Sequence, residues 1–417
     1  MIGEIIAIGD ELTSGRIANT TSGFAARLLF AAGHEIYAMH TIGDTPQLIG
    51  EALKRAIGRV DFVIVTGGLG ATTDDMTNEA VAKALDRPAT PNEEILEQIR
   101  SQLQTSGREQ SALEKLAWLP EGAEVLNAAE RMAGYLLIHD STPVFFLPGV
   151  PEQAKKLLTD YVLPRLAGWS RNNRNHVRLR VYRTVGLEEY EINRLLQKLE
   201  QQEHVTIGYY PVDCEVHITL TVLGKNSDQS DRLFAEADRK IREVLGLHIY
   251  GTDHQSLAQV VGELLRAGKQ QLSVAESCTG GLIGSLITDV PGSSSWFSGG
   301  VVAYSNELKE ILLNVDHALL ANYGAVSSQV ARAMAARLAD RTGTGVAVSV
   351  TGIAGPGGGS EEKPVGTVYI GLFINNRVHD RLHHFSGTRN QIRQLTAQTA
   401  LDTVRRALLE DTQQLQG

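Results

Sequence analysis

Residues 274–281 read VAESCTGG, setting three candidate nucleophiles, Ser277, Cys278 and Thr279, side by side before Gly280 and Gly281. Glycines that open a helix present backbone N–H groups and a partial positive charge, which favours a thiolate, an oxyanion or a phosphate. Cys278 therefore stands out first. A cysteine hydrolase needs a base, customarily histidine, yet His254, His317, His379, His383 and His384 occur in no loop of similar character. His379, His383 and His384 share one strand-like run, where surface or packed histidine is the ordinary reading. A serine activated by lysine is the other route, because a desolvated amine accepts a hydroxyl proton. Lys309 in YSNELK, at a strand-to-helix junction beside Tyr304 and Ser305, is the lysine so placed; the same spacing also describes a solvated helix lysine.

Two more glycine-rich stretches accompany AESCTGG in this part of the chain, GSSSWFSGGVVAYSNELK and TGIAGPGGGSEEKPVG. Each stands at a strand end and reads as a cradle for phosphate or oxyanion. Glu276, Asp289, Glu361 and Glu362 do not form a metal-ligand set, and solvated acidic groups are the ordinary reading of Glu361 and Glu362.

The elements that must hold these loops are legible as an alternation of strands and helices. In the first 165 residues the runs IGEIIAIG, FAARLLFAAG, DFVIVTGG, NEAVAKALD and TPVFFLPG alternate β-type and helical periodicity. FVIVT is apolar on both faces, as a parallel strand covered by helices on each side requires. Thr45 and Pro46 open a helix with Ile49, Leu53 and Ile57 on one face. Glycines follow three strands, at Gly9, at Gly67, Gly68 and Gly70, and at Gly149, so three loops converge beyond the carboxyl ends of a doubly wound sheet.

Residues 171–250 change character, with SRNNRNHVRLRVYR, the helical EYEINRLLQKLEQ, strands at HVTIGYYP and CEVHITLTVLG, and a helix at SDRLFAEADRKIREVLG; a small α+β module is expected. A new helix then opens at Ser256, with Gln259 completing a capping box, Leu257, Val260, Val261, Leu264 and Leu265 on one face, and Gly268 at its end. Strands LSVAE, GVVAYS and VAVSVTG alternate with helices GGLIGSLITD, NELKEILLNV and SSQVARAMAARLADRTG. A hairpin turning at Asn375 and Asn376 and a final helix from about Thr388, with Leu401, Val404 and Leu408 on one side, complete this third part.

At 417 residues the chain exceeds a single core, and 42% hydrophobic with 21% charged residues is an ordinary globular composition. The expected fold class is α/β, as two three-layer α/β domains with largely parallel sheets joined by a small α+β module. The boundaries are placed at 1–168, 169–250 and 255–417. MIGEIIAIGD lacks the marks of a signal peptide and no apolar run approaches a membrane span, so a cytoplasmic protein with no membrane association is expected. Two cysteines, Cys214 and Cys278, support neither a disulfide framework nor a zinc site. A net charge of −9 argues against direct nucleic-acid binding and leaves room for a small anionic substrate held by local groups.

AESCTGG, GSSSWFSGGVVAYSNELK, YGAVS, TGIAGPGGGSEEKPVGTVY and FSGTR, in this order and spacing, resemble the CinA C-terminal family over nearly all of residues 255–410. The resemblance implies nicotinamide mononucleotide (NMN) deamidase activity: hydrolysis of NMN to nicotinate mononucleotide and ammonia in pyridine nucleotide salvage, with no cofactor. The family's site positions fall on Ser277, Ser294, Tyr304, Lys309, Thr351 and Arg389. Beside this, amide chemistry requires a nucleophile, oxyanion donors and an acid for the leaving ammonia. The expected roles are Ser294 as nucleophile, Lys309 as base, Ser277 relaying the proton and Tyr304 holding the amide or the lysine. Thr351 and Gly352, with the Gly280 turn, would supply backbone donors, and Arg389 the partner of the 5′-phosphate.

GDELTSGRIANT, TIGDT, VTGGLGATTDDMTNEAVAKAL and LPGVPEQ resemble the CinA amino-terminal domain, itself similar to the molybdopterin-binding domain of molybdenum-cofactor biosynthesis proteins. This implies an ADP-ribose pyrophosphatase that uses a divalent metal, cobalt or magnesium, with stimulation by potassium. Gly67, Gly68, Gly70 and Thr72 would cradle the diphosphate, and Asp10, Asp74 and Asp75 would hold the metal. Asp74 and Asp75 also suit the start of the following helix. The chain departs from the family at Ala71, where proline is usual, and at 127–137, where NAAERMAGYLL replaces a glycine-rich stretch; a binding or scaffolding role is the alternative there. The middle module resembles the KH-type insert of CinA without an evident GXXG clamp, so packing or homodimer formation is expected of it. The family's link to competence and a recombinase supplies a different hypothesis, an interaction protein in place of an enzyme.

Overall fold

The computed structural model describes residues 1–416 except 74, 107–112, 128–133 and 170–175, with side chains omitted for 101–106 and 412–416. Its contacts divide the chain into two compact units, 1–178 with 222–233, and 179–221 with 234–417. The architecture is mixed α/β, as expected.

In the first unit the strands are β1 (Ile2–Ile8), β2 (Glu35–Ile42), β3 (Phe62–Thr66), β4 (Ala89–Pro91), β5 (Trp118–Pro120), β6 (Glu124–Val125), β7 (Tyr135–His139) and β8 (Thr142–Leu147). The main sheet has the order β2-β1-β3-β8-β7-β6, with β1, β2, β3 and β8 parallel and β6 and β7 antiparallel at one edge. Every residue of β3 and β8 is buried, which is why FVIVT and TPVFFL carry no alternation. The helix Pro46–Ile57 starts at the expected proline and buries Ile49, Leu53 and Ile57.

A separate small sheet of order β10-β11-β9-β12 is built from β9 (His176–Thr184), β10 (Val205–Val212), β11 (Glu215–Gly224) and β12 (Ile249–Thr252). Its helices Glu189–Glu200 and Ser227–Leu245 match the expected α+β pattern.

The third sheet carries the loops AESCTGG, YSNELK and TGIAGPGGGSEEKPVG. Its order is β14-β13-β15-β16-β17, from β13 (Leu272–Glu276), β14 (Phe297–Val302), β15 (Val346–Gly352), β16 (Thr367–Ile374) and β17 (Arg377–His384). The first three are parallel; β16 and β17 form an antiparallel hairpin that turns at Asn375 and Asn376, with φ 53° and 57°. Because β13 lies between β14 and β15, the chain reverses direction across the sheet beside β13, the arrangement that opens a crevice at the strands' carboxyl ends. Ser256 caps the preceding helix by accepting from Gln259 N, and Leu257, Val261 and Leu265 are buried. Gly268 ends that helix with φ −79°, and the left-handed residue is Lys269 at 52°. The long helix Arg389–Gln416 covers one face with Leu401, Val404 and Leu408. Among the described residues no helix is long and apolar enough to cross a membrane.

Candidate active site

Ser277 follows β13, and its N–H donates to Val350 O of β15 at 3.1 Å, fixing it at the carboxyl end of these strands. The helix Asn306–Leu313 follows β14 after Ser305, whose hydroxyl caps it by accepting from Leu308 N. Lys309 and Leu313, one turn apart, are that helix's buried residues, so a lysine occupies a position on the core-facing stripe. Only 1% of Lys309 is exposed, and its Nζ lies 3.0 Å from Ser277 Oγ and 2.9 Å from Ala303 O, with Tyr304 O and Ser305 O at 3.4 and 3.5 Å. No carboxylate forms an ion pair with it among the described residues, and burial holds its amine below the ordinary lysine range. Burial thus disfavours the ammonium form and makes the amine a better acceptor for the Ser277 proton.

Tyr304 joins this pair to the opposite wall. Its carbonyl faces Lys309, and its hydroxyl accepts from Arg389 Nη2 at 2.8 Å while Arg389 Nη1 donates to Gly355 O at 2.6 Å. The structure therefore brings together Ser277, Lys309, Tyr304 and Arg389 of the six expected positions. Thr351 is buried at the end of β15 and donates its hydroxyl to Ala325 O at 2.8 Å, holding the YGAVS loop. Gly352 is required small, since a Cβ there would lie 2.8 Å from Thr367 O and 2.6 Å from Val368 Cγ2.

Ser294 falls elsewhere. It lies exposed in the short 3-10 turn Ser293–Ser295 before β14, whereas Ser277 follows β13; the two strands are parallel, so these serines belong to opposite ends of the sheet. A five-residue strand separates such ends by about 17 Å. The hydroxyl beside Lys309 is that of Ser277, and the Ser294 expected as nucleophile stands away from this lysine. A signal was present: in a strand–helix–strand crossover alternate loops emerge at opposite ends of the sheet.

The helix opening after AESCTGG is not an empty anion cradle. Gly280 and Gly281 turn the chain with φ 61° and 95°, and Gly281 N, Ile283 N and Gly284 N donate to the buried Glu276 carboxylate at 2.9, 3.1 and 2.8 Å. Glu276 thus fixes the turn that carries Ser277, a positioning role that its sequence context does not show because its three partners are backbone groups. Glu276→Ala strands those donors, and about 3 kcal/mol of stability is expected to be lost, read as a lowered urea midpoint.

Ser277 is itself only 8% exposed, so its neighbours Cys278 and Thr279 differ from it by partner: the side chain 3.0 Å from Lys309 Nζ is that of Ser277. Cys278 is packed in the core with 6% exposure, and burial pushes its thiol up to about 12. Thr279 is fully buried, its carbonyl accepting from Arg393 Nε and Nη2 at 3.2 and 2.7 Å. Cys278→Ala is expected to keep full catalytic activity and to cost about 1 kcal/mol of stability, measured by initial rates and denaturant unfolding.

In the first unit the glycines are demanded by close approach: a Cβ on Gly67, at φ 99°, would lie 2.1 Å from Ile8 O, and one on Gly68 2.1 Å from Thr77 Oγ1. Gly70 packs against Asp75, which accepts from Thr72 N at 3.0 Å and from the Thr72 hydroxyl. Asp10 instead exchanges hydrogen bonds with Asp44, at 2.8 and 3.1 Å. Asp74 and the core of NAAERMAGYLL, 128–133, lie outside the described residues. No three His, Cys, Asp or Glu side chains among the described residues gather to hold a metal ion.

Three family models match the chain: "CinA C-terminal domain" at 254–408, "Probable molybdopterin binding domain" at 4–168 and "Damage-inducible protein CinA KH domain" at 179–251. A CinA-like protein of Desulfotalea psychrophila is 53% identical over 409 residues, covering 98% of this chain and 99% of its own. One of Geotalea daltonii is 38% identical over 408 residues, covering 97% and 98%. The crystal structure of competence/damage inducible protein CihA from Agrobacterium tumefaciens, 41% identical, covers 36% of this chain and 93% of its own with a TM-score of 0.35. With relatives aligned end to end and all three models matched in order, the chain belongs to the CinA family.

Proposed function

We propose that the third sheet carries a serine–lysine amidase acting on the nicotinamide carboxamide of NMN, releasing ammonia and nicotinate mononucleotide. The observation that supports this most is a buried lysine with no carboxylate partner among the described residues, 3.0 Å from the serine hydroxyl at the carboxyl end of β13. Neutral Lys309 takes the Ser277 proton as Oγ attacks the amide carbon. The resulting ammonium returns that proton to the departing nitrogen, leaving an ester on Ser277. Water, deprotonated by the same amine, then cleaves the ester and frees the acid. Arg389, held by Tyr304 and Gly355, offers the guanidinium for the 5′-phosphate.

The reading fixes a pH dependence. Because burial depresses the Lys309 pKa, the rate is expected to rise with pH along an acid limb whose midpoint lies below 10.5 and then level off. In the unfolded chain Lys309 keeps its proton up to the ordinary value, so the unfolded state binds more protons between the two pKa values. Stability therefore rises with pH across that window. The functional test is ammonia release from NMN by the whole chain beside NAD, nicotinamide and glutamine. NMN turnover far above the other three supports the proposal; inactivity toward all four removes it.

For the first unit we propose nucleotide binding at the Gly67–Gly70 loop, with ADP-ribose as the ligand to examine. The loop follows β3 at the carboxyl end of parallel strands, where open α/β sheets take their ligands, and this supports the reading.

A further inference from the structure

The β16–β17 hairpin and the helix Arg389–Gln416 enclose a groove of about 930 Å³, within the range of small-ligand clefts. It is separate from the residues around Ser277 and Lys309. Its floor is apolar: Ile370, Leu372 and Ile374 of β16 stand opposite Arg381, His379 and Arg377 of the edge strand β17. Alternation along β17 puts Arg377, His379, Arg381 and His383 on one face of the strand, and all four line the groove. This is the histidine-rich run that the amidase chemistry leaves unused.

Charge in the groove is unevenly satisfied. Asp402 is held by Arg405 and Arg406 at 2.7 Å each, Asp380 faces Arg332 at 3.5 Å, and Asp411 accepts from Asn375 at 2.5 Å. Among the described residues neither Arg377 nor Arg381 has a carboxylate partner, and Glu410 has no cationic one. Four residues of strand set the Cα atoms of Arg377 and Arg381 about 13 Å apart, a gap that two long side chains can close on a shared ligand. At one end His383 stacks on Phe385, with ring centroids 5.4 Å apart and planes at 8°. Burial, with Arg381 and His384 nearby, pushes the His383 pKa down to about 4, so this platform is neutral at pH 7.

We propose that this groove binds a nucleoside diphosphate. The base lies on the His383–Phe385 platform, the diphosphate runs along β17 between Arg381 and Arg377, and the Glu410 carboxylate accepts from the sugar hydroxyls. Guanidinium matches phosphate oxygens, and neither a base nor a diphosphate alone engages both ends.

Hydrogen exchange of the whole chain with and without ADP tests the site, because it separates this groove from the Gly67–Gly70 loop and from Arg389. The expected result is slowed exchange in 377–385, with ADP binding at least tenfold tighter than adenosine or pyrophosphate. Arg377→Ala with Arg381→Ala is expected to weaken that protection at least tenfold while NMN turnover is unchanged, and Glu410→Gln to weaken it less. ADP protection confined to other segments, or protection of 377–385 that survives the double substitution, overturns the proposal.

Discussion

Lys309→Met is expected to lower NMN turnover by about 10²–10⁴-fold, the usual contribution of a positioned general base, while the thermal midpoint at neutral pH stays level or rises. The two outcomes follow from one fact. Lys309 occupies a leucine-like place on its helix, above Leu313, with backbone carbonyls and Ser277 Oγ around its amine in place of a carboxylate. Methionine fills nearly the same volume and needs no solvation, so relief of the amine's desolvation offsets the hydrogen bond lost at Ala303 O while the serine loses its proton acceptor. The pH slope of stability tied to Lys309 should flatten in the same variant. A protein that lost activity only by unfolding would show a falling midpoint, which denaturation scans distinguish.

Ser277→Ala is expected to remove turnover almost completely, by roughly 10⁴–10⁶-fold as for other serine nucleophiles. Ser294→Ala, at the other end of the sheet, should stay within about twofold of the parent. Steady-state rates on NMN for the two variants separate these positions directly. A silent Ser294→Ala beside an active Ser277→Ala would reverse the assignment.

Much of the fold was legible because it rests on local signals. Pro46 starts its helix, Ser256 caps the next, and Asn375 and Asn376 take the left-handed conformations a two-residue hairpin turn needs. The pair Ser277 and Lys309 was visible as chemistry, yet their contact was not, since Leu308, Ile311 and Leu312 are exposed and disguise the inward stripe that Lys309 shares with Leu313. Glu276 read as an isolated acid because its partners are amides brought round by two left-handed glycines. Ser294 looked close in sequence to the other site residues; the direction of β13 and β14 puts it at the far end. Of the three aspartates expected at a metal, Asp74 lies outside the described residues, and Asp10 and Asp75 hydrogen-bond locally, with Asp44 and with Thr72.

The central claim is that Ser277 Oγ forms the covalent intermediate, and acid-quenched NMN turnover followed by peptide mapping tests it most directly. The account predicts an ester-linked nicotinate mononucleotide on Ser277, absent in Ser277→Ala and undiminished in Cys278→Ala. The same adduct found on Ser294 or on Cys278 would contradict it.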